Sequence, residues 1–207
     1  MSDQPTSKRR RPQQARSQQR VEHILGTAAG LFAEQGYEAV STNHIARAAC
    51  VSIGSLYQFF PNKEAILDAL VDKYLNDMQE ALIGRIEEAP SLEDAVQRIV
   101  QGMQRFGKSH KAFKHVFAEV QLAAVTDRIH TTVVGWIEAM LGEHYPQLAP
   151  EQCHAGAEVS LCIVKGMMLV YDRPTGLTRE QLSAEMQAAL LAYIHDLVRR
   201  NGITPGA

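Results

Sequence analysis

From Gln18 to Gln35, apolar residues fall at Val21, Ile24, Leu25, Ala28, Leu31 and Phe32, the three-and-four spacing that gives a helix one buried stripe. Gly36 can take left-handed backbone and so stop that helix. A second stripe begins near Lys63 and runs through Leu67, Leu70, Val71, Tyr74, Leu75, Met78 and Leu82 before Pro90 cuts it. At about five turns it predicts a helix long enough to link two domains. Further periodic segments cover residues 92–106, 112–122, 128–141, 151–171 and 179–200. Pro146, Pro150, Pro174 and Gly176 punctuate the last three, and Thr178 with Gln181 predicts a capping box on the final helix. No alternating strand pattern competes. The fold class is therefore all-α, with about nine helices.

Between the two long stripes lies a different pattern, from Ser41 to Lys63. Ser41 or Thr42 can cap a short helix, with Asn43 in its first turn and Ile45, Ala46 and Ala49 on one face. Val51 then plugs an angle, and Ser52 caps a second short helix that starts Ile53, Gly54, Ser55. Leu56 and Phe60 point to the core, which leaves Tyr57 and Gln58 facing outward. A phenol there can donate to a phosphate, and an amide can both donate to and accept from a base edge. Pro61 ends the segment, Asn62 caps the next helix, and Lys63 falls in its first turn, in reach of a phosphate. A pair of buried helices would account for Ile45, Leu56 and Phe60, but not for Ser52, Ser55, Tyr57, Gln58 and Lys63 sharing an outward face beside a glycine. This is a DNA-reading layout of the helix-turn-helix type.

The spacing of Ser41, Ile45, Ala46, Ala49, Val51, Ser52, Gly54, Ser55, Leu56, Tyr57, Phe60, Lys63, Ile66 and Leu67 resembles the DNA-binding signature of the TetR family of bacterial transcription regulators. The motif covers about the first third of the chain, and the rest agrees in length and helical content. Cys50 departs from the pattern, standing where the family usually has glycine, so a residue with a Cβ is expected in left-handed backbone. Phe59 stands where a side chain able to bond a phosphate is common. The expected domains are a flexible basic arm at 1–15, a helix-turn-helix domain at 16–62, and an effector-binding and dimerisation domain at 63–207.

Charge sharpens this picture. The 207 residues carry a net charge of −2, but residues 1–63 hold eight Lys or Arg against four Asp or Glu, a balance of +4 that leaves −6 for the remainder. The positive end coincides with the DNA-reading end. Lys8, Arg9, Arg10 and Arg11 run together between two prolines, an arm suited to entering a minor groove beside the main site; a solvated charged tail is the other account of the same residues. The arm lacks the apolar core of a signal peptide, and no run of 18 apolar residues occurs, so neither membrane insertion nor secretion by that route is expected. Cys50, Cys153 and Cys162 are odd in number and widely spaced, which fits a reduced cytoplasm. His144, Cys153 and His154 lack the spacing of a metal site, and no metal or other cofactor is expected.

The segment 151–171 turns apolar on nearly all sides, and 179–200 carries a main stripe from Leu182 to Leu197 with Leu191, Ala192 and Val198 beside it. Two buried faces imply two neighbours, the chain's own core and a second subunit. The resemblance implies the same, a homodimer built from the last two long helices. A two-fold dimer sets its recognition helices about 34 Å apart on a palindromic operator in double-stranded DNA. The resemblance also implies an effector pocket in the middle of the chain. Met103, Phe106, Phe113, Phe117, Trp136, Met140 and Met168 are the candidates to line it, and such walls suit a hydrophobic or aromatic small molecule; ordinary core is the other account of the same residues. Effector binding would release the operator, making the protein a repressor. An effector-independent DNA-binding regulator is one competing class and a small helical enzyme another. No nucleophile elbow, phosphate-cradling glycine loop, dinucleotide fingerprint or H-E-x-x-H pair supports the enzyme.

Overall fold

The computed structural model describes residues 10–82, 89–109, 123–170 and 176–204, and among these residues every regular element is a helix. The elements are α1 (Arg10–Gln35), α2 (Thr42–Ala48), α3 (Ile53–Tyr57), α4 (Lys63–Leu82), α5 (Leu92–Ser109), α6 (Ala123–His144), α7 (Pro150–Val170) and α8 (Arg179–Arg200). The short helix expected over 112–122 falls outside the described residues. The chain divides into two compact units, one of Met1–Tyr74 with His110–Val125, the other of Leu75–Ser109 with Thr126–Ala207.

In the first unit the apolar stripes become one core. Ile24, Ala28 and Phe32 of α1, Ile45 of α2, Leu56 of α3, and Ile66, Leu67 and Leu70 of α4 are all sealed from solvent. Each such aliphatic or aromatic side chain contributes about 1.5–3 kcal/mol relative to exposure. α1 begins at Arg10, eleven residues before its apolar stripe opens at Val21, so Arg10 and Arg11 stand in its first turn. The reason is local: Gln, Ala and Arg are good helix formers, and Pro12 lies in the first turn, where its missing N–H costs nothing. Arg9 lies outside the described residues. At the other end, Gly36 takes φ 78 and its N–H bonds the Phe32 carbonyl at 3.0 Å, the expected left-handed stop.

In the second unit α8 packs along both α5 and α7. Val96 and Val100 of α5, Leu141 and Tyr145 near the end of α6, and Met186, Leu190, Ile194, Leu197 and Val198 of α8 form its core. The capping box is present, with Thr178 Oγ1 accepting from the Gln181 N–H at 3.2 Å and Gln181 Oε1 accepting from the Thr178 N–H at 2.8 Å. α6 and α7 are joined by a polar chain. The Lys165 ammonium donates to His130 Nδ1 at 3.0 Å, which leaves Nε2–H to donate to Glu158 at 2.9 Å. Gly156 lets α7 come close, because a Cβ there would stand 2.6 Å from Leu197 Cδ2 and 3.0 Å from Leu141 Cδ1. No helix among the described residues is long and apolar enough to cross a membrane.

Candidate nucleic-acid interface

Two serine caps and one strained turn set the geometry of α2 and α3. Ser41 sits in extended backbone and its Oγ accepts from the His44 N–H at 3.2 Å, satisfying an orphan donor of α2. α2 then stops in a Schellman motif. The Cys50 N–H bonds the Arg47 carbonyl at 3.2 Å and the Val51 N–H bonds the Ala46 carbonyl at 3.0 Å. That motif requires left-handed backbone at its pivot, and Cys50 supplies it with φ 53, the non-glycine residue with positive φ among the described residues. Two residues later Ser52 Oγ accepts from the Ser55 N–H at 3.1 Å and donates to Ser55 Oγ at 3.0 Å, starting α3. His23 of α1 braces the turn, its Nε2–H donating to the Ala49 carbonyl at 3.1 Å.

On this frame Ser41, Asn43, Ser52, Gly54, Tyr57 and Gln58 are exposed, while Thr42, Ile53 and Ser55 are partly so. Tyr57 is 50 % exposed although aromatic, and its hydroxyl lies 3.2 Å from Thr42 Oγ1. That bond ties the start of α2 to the end of α3 across fifteen residues of sequence. Apart from Lys63, the expected outward polar set is thus brought together, and Leu56 and Phe60 turn inward as expected. Asn62 caps α4, its Oδ1 accepting from the Ala65 N–H at 2.8 Å.

Lys63 is placed differently from the expectation of a phosphate contact. Its side chain is only 18 % exposed, and its ammonium donates to the Tyr37 carbonyl at 2.9 Å while lying 4.0 Å from the centre of the Tyr37 ring. Glu38 is 3.9 Å away on the open side. Tyr37 also packs its ring on Phe32 at 5.2 Å. A backbone carbonyl and an aromatic face together attract a cation more strongly than open solvent does, so Lys63 turns inward and fastens α4 to the end of α1. Sequence reasoning missed this pairing, and missed His23 as the brace. Neither has a local signal, since each partner is 26 residues away.

Of the residues expected to line an effector pocket, Phe106 and Met140 are buried, Met103 packs against the same core as Met140, and Trp136 is partly buried. Phe113, Phe117 and the Met168 side chain lie outside the described residues. An open groove of about 750 Å³ does occur in this unit, but it runs along α6 and α7 past Gly135, Glu138, Ala139, Leu148 and His154, and its lining among the described residues includes none of Met103, Phe106, Trp136 and Met140. All three cysteines are free thiols, and burial followed by the Glu138 charge pushes the Cys153 thiol up.

Residues 24–70 match the family described as bacterial regulatory proteins, tetR family. Residues 91–194 match the tetracyclin repressor-like C-terminal domain. An uncharacterized HTH-type transcriptional regulator, YhgD of Bacillus subtilis, is 24 % identical over 72 % of this chain and 81 % of its own length. The A-factor receptor protein of Streptomyces griseus is 28 % identical over 79 % of this chain and 59 % of its own. The HTH-type transcriptional repressor KstR2 of Rhodococcus jostii is 31 % identical over 51 % of this chain and 52 % of its own. Among solved structures, a TetR-family regulator from Syntrophomonas wolfei superposes with a TM-score of 0.74 at 14 % identity, covering 86 % of this chain and 95 % of that one; at this identity the likeness is one of fold.

Proposed function

The chain belongs to the TetR family and is a DNA-binding transcriptional regulator, and from that premise we propose that it acts as a two-fold dimer on a palindromic operator and is released from it by a small apolar effector. The observation that carries the DNA-reading half is the outward set of Ser41, Thr42, Asn43, Ser52, Ile53, Gly54, Ser55, Tyr57 and Gln58 on two helices held rigid by caps at both starts. Gln58 supplies base-edge hydrogen bonding, the hydroxyls supply phosphate contacts, and Gly54 allows close approach of the backbone. Arg9, Arg10 and Arg11 add phosphate attraction at the start of the chain.

Exposed rows of small and apolar residues support the dimer. α7 shows Ala155, Val159, Cys162 and Gly166 to solvent, and α8 shows Ala184, Ala188 and Ala192. Each row repeats at helical spacing on the side away from the buried one, which suits a bundle made with the same two helices of a second copy. Repression is favoured by the relative named a repressor, and response to a small molecule by the relative named a receptor. The coupling required is small: about 1–3 kcal/mol between effector and operator changes affinity roughly 5- to 150-fold.

The test is selection of the purified protein on a random duplex pool at physiological salt, repeated with Gln58→Ala. The expected product is an inverted repeat with half-sites about one helical turn apart, with base preference relaxed at one position per half-site in the variant. A selected site without two-fold symmetry would refute the dimeric reading, and an unchanged preference would refute the role of Gln58.

A further inference from the structure

The helix-turn-helix is short of free cations. From Val21 to Asn62 the only Lys or Arg is Arg47, and Lys63 is held by Tyr37 and Glu38. A duplex carries one negative charge per ~1.7 Å of axis, and phosphate neutralisation supplies much of the affinity of its binders. The missing charge lies just upstream, because residues 4–21 contain Lys8, Arg9, Arg10, Arg11, Arg16 and Arg20 and no acidic side chain.

Within the described part of that stretch, α1 is helical from Arg10 and every residue from Ala15 to Arg20 is exposed. Neither Arg16 nor Arg20 has an ion-pair partner among the described residues. Arg16, Arg20 and His23 stand at i, i+4 and i+7, one row on the helix surface. His23 is the member of that row whose ring reaches the Ala49 carbonyl at the end of α2. The row of arginines therefore continues outward from the side of α1 that meets the α2–α3 turn. Guanidinium groups one turn apart, roughly 5–6 Å between Cβ atoms, suit a run of phosphates, which they grip in bidentate fashion.

We infer that Arg16 and Arg20 form a phosphate-binding row on the exposed half of α1, seating the DNA backbone that flanks the bases read by α2 and α3. This rests on the DNA-reading assignment above and adds residues to it. The partner is the duplex, because the row shares its compact unit and its anchoring histidine with the helix-turn-helix.

The experiment measures binding of the full chain to its selected operator and to an unrelated duplex by fluorescence anisotropy across a potassium chloride series. Arg16→Ala with Arg20→Ala is compared with Arg16→Lys with Arg20→Lys and with wild type. Alanine is the strongest helix former, and circular dichroism verifies that α1 is kept. The alanine pair is expected to lower affinity for both duplexes together and to flatten the slope of log affinity against log salt by about 1.8, near 0.9 per lost phosphate contact. The lysine pair is expected to keep most of the slope. An unchanged slope in the alanine pair would overturn the inference while leaving the helix-turn-helix assignment standing. Unchanged slope together with lost binding to anionic phospholipid vesicles would assign the arginines to a membrane surface and equally overturn it. If wild type retained no duplex at all, the DNA-reading assignment and the inference would fall together.

Discussion

Cys50 and Gly202 occupy the same place in two copies of one motif. At the end of α8 the Gly202 N–H bonds the Arg199 carbonyl at 3.0 Å and the Ile203 N–H bonds the Val198 carbonyl at 3.1 Å, with Gly202 at φ 75. Cys50 performs the same task at φ 53 with a Cβ to accommodate, at a cost of about 1–2 kcal/mol. Its thiol is exposed. Cys50→Gly is therefore expected to stabilise the first unit by about 0.5–1 kcal/mol after the extra chain entropy of glycine is subtracted, and Cys50→Val to destabilise it by more than that. Urea unfolding checks both, and a loss on Cys50→Gly would show that the thiol has contacts worth keeping. Tyr37 is a second such residue. Its hydroxyl is buried with no hydrogen-bond partner among the described residues, and burial, then the charges of Glu64, Glu38 and Asp68, push the phenol up to about 12. Below pH 10 folded and unfolded chains hold the proton equally. From pH 10 to about 12 the unfolded chain releases it first, so stability falls as pH rises through that window. Tyr37→Phe keeps the ring against Phe32 and Lys63 and removes the orphan hydroxyl. It is expected to match wild type or exceed it by up to about 1 kcal/mol at neutral pH, and to lose part of the alkaline slope. Thermal melts at pH 8 and pH 11 measure this, and destabilisation at both would mean that the hydroxyl is bonded in solution.

Among the elements, the long helices follow their apolar periodicity, and the caps at Ser41, Ser52, Asn62 and Thr178 are where hydroxyl and amide chemistry predicts them. Boundaries moved where the pattern was silent, as at Arg10, because a polar helix extending beyond its core leaves no apolar stripe to read. Glycines inside helices separate into two kinds that sequence alone does not distinguish. A Cβ on Gly142 of α6 meets nothing within 4 Å, whereas one on Gly156 of α7 runs into Leu197 and Leu141. Gly142→Ala is expected to gain about 0.5–1 kcal/mol from helix propensity. Gly156→Ala gains the same locally but overpacks two buried leucines, and is expected to lose about 1 kcal/mol net. Equal gains in urea unfolding would show that the leucines yield at little cost.

For the whole molecule the decisive quantities are distributions. A net charge of −2 conceals +4 in residues 1–63 and −6 beyond, so binding to a polyanion is governed by one end of the chain. The row of small and apolar residues on α7, with Val159 41 % exposed, leaves room for a second copy. Val159→Glu places a carboxylate in the centre of that proposed interface and is expected to yield monomers in light scattering, with operator affinity falling because two half-sites are no longer engaged by one particle. A dimer of unchanged affinity would move the interface elsewhere.

The sequence by itself determined the helical class, the order of the long helices and the caps, because each depends on side chains within a few residues of one another and on the repeat of one helix; the left-handed turn at Cys50 was expected from the family resemblance. Tertiary structure alone decided that Lys63 folds onto Tyr37, that His23 braces the end of α2, that Thr42 meets Tyr57, and that Gly156 is a contact while Gly142 is not. Those pairings join residues far apart in the chain, and only the packing of the helices determines which side chains come within bonding distance.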